Sequence, residues 1–212
     1  LNVPSEKVAV VPHGNYVGVY PNLITKEEAR KNFGFTPEQI IFLFLGQIRK
    51  YKGIEDLLVA FNQVQQKFSH THLLIAGQSK HQINFQKLNI ELDVQQKITL
   101  IERYIPDHEL QLFFNAADVT VLPYKKILTS GSLLNAMSFN CPVIAPRVGM
   151  TEEIIKDGYN GFLYELNNVT SLTTTMLKLA VLDKNSKKRL FEQSLISIKN
   201  LQTISLTFLL II

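Results

Sequence analysis

Short apolar runs rich in β-branched residues alternate with amphipathic stretches along nearly the whole chain. The runs at residues 7–11, 40–45, 72–76, 97–101, 119–122 and 142–145 are close to continuous in apolar character rather than alternating. That is the pattern of strands buried on both faces of a parallel sheet. Helical signals lie between them. Thr25-Lys26-Glu27-Glu28 has the form of a capping box, opening a short helix that stops at Gly34. Ile54, Leu57, Leu58, Phe61 and Val64 recur at helical spacing, and Leu110, Phe113 and Phe114 do so after Pro106, a residue suited to a first helical turn. Leu133, Leu134, Met137 and Ser138 follow Gly131, and Leu172, Met176, Leu177 and Ala180 make a further stripe. These stripes read as core-facing packing. Strand–helix–strand repetition at this spacing implies right-handed crossovers and an α/β fold built on a doubly wound parallel sheet with helices on both faces. Such sheets bind ligands beyond the carboxyl ends of their strands, so function is expected in the loops that follow the strands.

Composition narrows the class. The 212 residues suit one α/β domain, and 46% hydrophobic with 19% charged residues is the balance of an ordinary globular protein. The lone Cys141 excludes an internal disulfide and a cysteine zinc cluster. Placed just before Pro142-Val143-Ile144-Ala145, it reads as a small buried residue. A net charge of +4 suits an anionic ligand or an anionic membrane surface. No basic run is interleaved with aromatics and there is no Trp, which speaks against a nucleic-acid partner. Leu1-Asn2-Val3-Pro4-Ser5-Glu6 is neither a signal peptide nor an initiator region, so the chain reads as one entered in the middle. The apolar residues 206–212 are far fewer than the ~20 that a bilayer span requires. The expected location is the cytoplasm, with peripheral association at the inner face of the membrane as a further expectation.

Two loops carry candidate chemistry. Gly46-Gln47-Ile48-Arg49-Lys50-Tyr51-Lys52-Gly53 sets three cations between glycines at a helix entrance. Helix N–H groups and dipole would add to the Arg49 and Lys52 charges in an anion cradle; a solvated basic turn is the other reading. The phosphate-loop pattern Gly-x4-Gly-Lys-Ser/Thr is absent. Pro123-Tyr124-Lys125-Lys126-Ile127-Leu128-Thr129-Ser130-Gly131-Ser132 places hydroxyls around a glycine at a second helix start. One serine is explained by a helix cap; the pairing of this loop with the first favours phosphate binding. Of the histidines, His13 lies in a loop near the expected cleft, while His70, His72, His81 and His108 lack metal-ligand spacing and read as structural. Asp157-Gly158-Tyr159-Asn160-Gly161 reads as a turn.

Several strings then resemble the donor-binding half of family-four glycosyltransferases of the GT-B fold. Phe44 to Leu58 resembles their "Gly-Arg-…-Lys-Gly-…-Leu-Leu" stretch, as do Leu74-Ile75-Ala76-Gly77, Tyr104-Ile105-Pro106-Asp107-His108-Glu109-Leu110 and Ala116-Ala117-Asp118-Val119. Ala136 to Ala145 resembles "Ala-Met-Ala-x-Gly-x-Pro-Val-Ile-Ala", and Glu153, Ile154, Ile155, Asp157-Gly158, Asn160-Gly161 and Phe162 match the next element. The likeness is collinear from about Lys7 to Leu182. It implies a Rossmann-like, nucleotide-sugar-binding domain over residues 1–199, transfer of a sugar from a nucleoside diphosphate sugar with retention, and no cofactor or metal. It assigns Lys52 to the family lysine and Gln47 to the family arginine position, with Arg49 as the substitute cation. It places Tyr104 and Ile105 along the nucleobase, and Gly14, Thr129, Ser130, Gly131, Ser132 and Asn135 around the donor.

The sequence departs from that family in two ways. The Glu-x7-Glu pair falls on Ile127 and Asn135, so both carboxylates are missing; Asn135 retains the capacity to bond a ribose hydroxyl. The amino-terminal acceptor domain is expected to be absent, with Pro12-His13-Gly14-Asn15-Tyr16 just past the interdomain linker, and residues 200–212 form an atypical apolar tail. A GT-B-like sugar-nucleotide epimerase domain and a non-catalytic nucleotide-binding module are the alternatives.

Overall fold

A computed structural model of the chain describes residues 14–79, 83, 85–126 and 130–201. The strand expected at 7–11, His13, His81, residues 127–129 and the tail from 202 onward lie outside the described residues.

The capping box closes as its residue types require. Thr25 Oγ1 accepts from Glu28 N (3.2 Å), Glu28 Oε2 accepts from Thr25 N (2.8 Å), and helix α1 (Lys26–Phe33) ends at Gly34 in the left-handed region, φ 72°. The chain then runs through β1 (Ile40–Leu45), α2 (Ile54–Lys67), β2 (Thr71–Ala76), α3 (Leu92–Gln95), β3 (Ile98–Ile101), α4 (Leu110–Ala116) and β4 (Val119–Val121). It continues with α5 (Gly131–Ser138), β5 (Val143–Pro146), α6 (Met150–Ile154), β6 (Gly161–Tyr164), α7 (Val169–Ala180) and α8 (Lys184–Lys199).

The six strands form one parallel sheet in the order β3-β2-β1-β4-β5-β6, with Ile40 to Leu45 paired residue by residue with Thr71 to Ala76. Every residue of β1 and β2 is buried, which is why these runs are apolar throughout. The chain leaves β1 toward one edge and, after returning to β4, proceeds toward the other. Right-handed crossovers in opposite directions must place their helices on opposite faces. Accordingly α2 packs with α7, while α1 packs with α4 and α5 with α8. The expected doubly wound, Rossmann-like sheet is the observed one.

Four elements were not expected: the short helices α3 and α6, strand β6 and helix α8. Gly161 ends the 157–161 turn and also begins β6, so the four-residue strand was hidden behind turn-forming residues. Helix α8 buries only Leu190, Ser194 and Ile198, a stripe too narrow to stand out among its lysines. Cys141 is fully buried beside Thr120 Oγ1 (3.3 Å), and burial pushes its thiol up to about 12, as befits an inert core residue. His72 is also structural: its Nε2 lies 2.9 Å from Thr99 Oγ1 under the Phe35 ring. Among the described residues, no helix is long and apolar enough to cross a membrane.

Candidate functional site

Because the strand order reverses between β1 and β4, the chains leaving these two strands diverge and open a crevice beyond their carboxyl ends. The two loops singled out in the sequence are the two that leave this point. They are drawn tightly together. Lys125 N donates to Tyr51 O (2.8 Å), and Lys125 Nζ pairs with Asp56 (3.1 Å). Gly53 sits at φ 67°, where a Cβ would lie 1.9 Å from Pro123 O, so no other residue fits there without moving the second loop. A third loop joins them, since a Cβ on Gly77 would lie 1.9 Å from Gly46 O and Ile48 N donates to Gln78 O (2.9 Å).

Residues 50–52 form a single turn of 3-10 helix ahead of α2. That turn carries half-buried Lys52 toward the second loop, where its Nζ donates to the Tyr124 hydroxyl (2.6 Å) and lies 3.9 Å from the centre of the Tyr124 ring. Tyr124 is only 2% exposed, so it is a fixed anchor for the ammonium. Arg49 is exposed; its carbonyl accepts from Lys52 N (2.9 Å), while its guanidinium holds no ion pair or hydrogen bond among the described residues.

At the second loop Ser130 is the N-cap of α5, its Oγ accepting from Leu133 N (3.1 Å), and it is 4% exposed. That bond is the helix cap expected of one serine here, and it uses the hydroxyl oxygen as acceptor. Leu133 and Leu134 both donate back to Ser130 O. The N–H groups of Gly131 and Ser132, two residues earlier, have no acceptor among the described residues, as expected at a helix start.

Beside these loops a cavity of about 200 Å³ opens, walled by Gly46, Gln47, Gly77, Gln78, Tyr104, Ile105, Phe114, Ser132 and Asn135, with Leu45 and Leu110 behind. Tyr104 forms an exposed rim and Ile105 a buried apolar wall. The Asn135 Oδ1 is buried without a hydrogen-bond partner. A buried acceptor left unpaired is costly unless a ligand donor meets it.

The structure thus gathers Gln47, Tyr104, Ile105, Ser132 and Asn135 around one cavity, with Lys52 and Arg49 on the adjoining loop. Gly131 starts α5 at the cavity's edge, and Thr129 lies outside the described residues. Gly14 is exposed and does not line the cavity. Sequence reasoning missed Tyr124 and the Gly77-Gln78 wall. The latter carried a readable signal, since those residues directly follow a strand. Among the described residues, no group of three or more His, Cys, Asp or Glu side chains is placed to hold a metal.

Residues 25–194 match the family described as glycosyl transferases group 1. The chain belongs to that family. An uncharacterized glycosyltransferase of Methanocaldococcus jannaschii is 29% identical over 179 residues, which are 81% of this chain and 44% of that protein. This group 1 chain therefore spans less than half the length of that relative. Among solved structures, the carboxy-terminal domain of a glycosyl transferase group 1 protein from Francisella tularensis superposes with a TM-score of 0.71 at 22% identity, covering 87% of this chain and 96% of that domain. Anabaena HepE, solved in complex with UDP-glucose, gives a TM-score of 0.71 at 15% identity over 88% of this chain and 51% of that one. At these identities the superpositions establish a shared fold.

Proposed function

We propose that this group 1 chain is the donor-binding half of a glycosyltransferase that takes a nucleoside diphosphate sugar and transfers the sugar with retention. The observation that carries this reading is the join of cavity and cations at the β1/β4 switch point. The nucleoside lies in the cavity against Tyr104 and Ile105, with Asn135 Oδ1 accepting from a ribose hydroxyl. The diphosphate lies across the N–H groups of Gly131 and Ser132, with Lys52 and Arg49 against its charge. When the anomeric C–O bond breaks, negative charge collects on the leaving diphosphate, and these groups are already in place to stabilise it. The reading is supported by HepE, which shares the fold and is complexed with UDP-glucose.

The charge of the diphosphate is assigned to Lys52, Arg49 and backbone donors, so binding is expected to survive EDTA unchanged. The chain spans 44% of its Methanocaldococcus relative, and one wall of a cleft neither excludes water nor positions an acceptor. The 212-residue chain alone is therefore expected to bind nucleoside diphosphates weakly and to turn over slowly or not at all. Calorimetry with several nucleoside diphosphates, with and without EDTA, and an acceptor-independent hydrolysis assay test this. Brisk turnover by the chain alone, or loss of binding in EDTA, would contradict it. Release of an altered sugar nucleotide would favour the epimerase alternative, and binding by full-length protein without transfer would favour the non-catalytic one.

A further inference from the structure

At the opposite end of the sheet, where β1 and β4 begin, a second cavity of about 390 Å³ opens between α1, the start of β1 and α8. Five cations line it (Lys26, Arg30, Lys184, Lys187 and Lys188) against two carboxylates, Asp118 and Glu38, a surplus of three positive charges. Two of the cations are structural. Asp118 binds Lys26 (2.7 Å), Arg30 (2.6 Å) and the N–H of Ile41 (2.8 Å), and Arg30 is further held by the carbonyls of Ala116, Thr36 and Pro37. Asp118 is thereby fully committed and neutralises only one of its two partners.

The lysines of α8 add further positive charge at the same place. Lys184, Lys187 and Lys188 occupy the first two turns of a 16-residue helix, whose only acidic group at its start is the N-cap Asp183, bonded to Ser186. Cations there oppose the helix dipole. Lys188 reaches Glu192 only at 4.0 Å, and neither Lys184 nor Lys187 forms an ion pair among the described residues. Lys187 is half-buried, and desolvation pulls its ammonium below the usual lysine range, with Lys26 and Arg30 adding to the effect against Asp118 and Asp183. A surplus of positive charge gathered around a concave surface, against the helix dipole, marks a place where an anionic ligand completes the structure.

We infer that this cavity binds a phosphate-bearing anion, held by Lys184, Lys187 and Lys188 with the Phe191 ring as its apolar wall. The site lies at the far end of the strands from the donor site and is independent of it. Its volume falls within the ~300–1,000 Å³ range of small-molecule sites. A soluble phosphate compound and a phospholipid headgroup offer the same chemistry.

The test is titration of the whole chain with inorganic pyrophosphate, followed by the amide resonances of residues 184–188. Those resonances are expected to move saturably in the parent and equally in Lys52→Ala, which separates this site from the donor site. Lys187→Gln, which keeps the aliphatic stem, should weaken this response about tenfold. Lys184→Gln, at an exposed position, carries the test if the first variant is unstable. A parallel arm measures sedimentation with vesicles of phosphatidylglycerol against phosphatidylcholine. Capture by the former, lost in the lysine variants, assigns the site to a lipid headgroup; pyrophosphate binding without capture assigns it to a soluble anion. If neither probe responds to these substitutions, or if Lys52→Ala abolishes the pyrophosphate response at 184–188, the inference is overturned.

Discussion

The contact between Lys52 and Tyr124 joins residues 72 apart in sequence and sets the position of the Lys52 ammonium. A buried phenol that accepts from an ammonium holds it without neutralising it, leaving its charge available to a phosphate. Removing that hydroxyl by Tyr124→Phe should therefore loosen Lys52 while keeping the ring beneath it. Nucleoside diphosphate affinity is expected to fall several-fold and melting temperature to change little; calorimetry and thermal denaturation check both. Ser130→Ala should behave in the opposite way. It loses a cap bond of about 1 kcal/mol, so the melting temperature drops, but the N–H groups of Gly131 and Ser132 remain and binding should hardly change. His72 supplies a pH-dependent term. Burial, with Lys97 adding, pushes its ring down to about 4. The unfolded chain, with an ordinary pKa of ~6.5, then binds the proton first, so stability is full above that value and falls as pH drops from ~6.5 toward about 4. Denaturant titrations at pH 7 and pH 5 should show the decline, and His72→Gln should flatten it.

At the scale of elements, the loops are held by close backbone approach more than by side chains. Gly53→Ala would meet Pro123 O and a left-handed backbone together, so it is expected to destabilise by about 1–3 kcal/mol and to weaken diphosphate binding through the displaced second loop. A variant with parent stability and parent affinity would show that the two loops do not act as a unit. The same elements show what sequence can carry. Strands β1, β2, β4 and β5 were legible because strands buried on both faces become continuous apolar runs. Helix α1 was legible because its cap is a local four-residue device. Strand β6 and helix α8 were not, since one starts within turn residues and the other buries three positions in sixteen. Of the site, the cationic loop and the second helix start could be read locally. The Ser130 cap is likewise a local device spanning three residues, whereas the Tyr124 anchor for Lys52 depends on a contact between loops 72 residues apart, which no local spacing encodes.

For the whole molecule, the reversal of strand order between β1 and β4 decides where a ligand goes, and the helices on both faces follow from the same handedness. The account's central claim is that the two loops at this reversal hold a diphosphate. It is tested most directly by calorimetric titration of a nucleoside diphosphate and its parent nucleoside into the chain and into Lys52→Ala, at matched melting temperature. A charge-assisted hydrogen bond is worth ~1.5–3 kcal/mol, so the diphosphate should bind roughly tenfold to a hundredfold more weakly to the variant while the nucleoside binds equally to both. Equal diphosphate affinity for the two proteins would contradict the account.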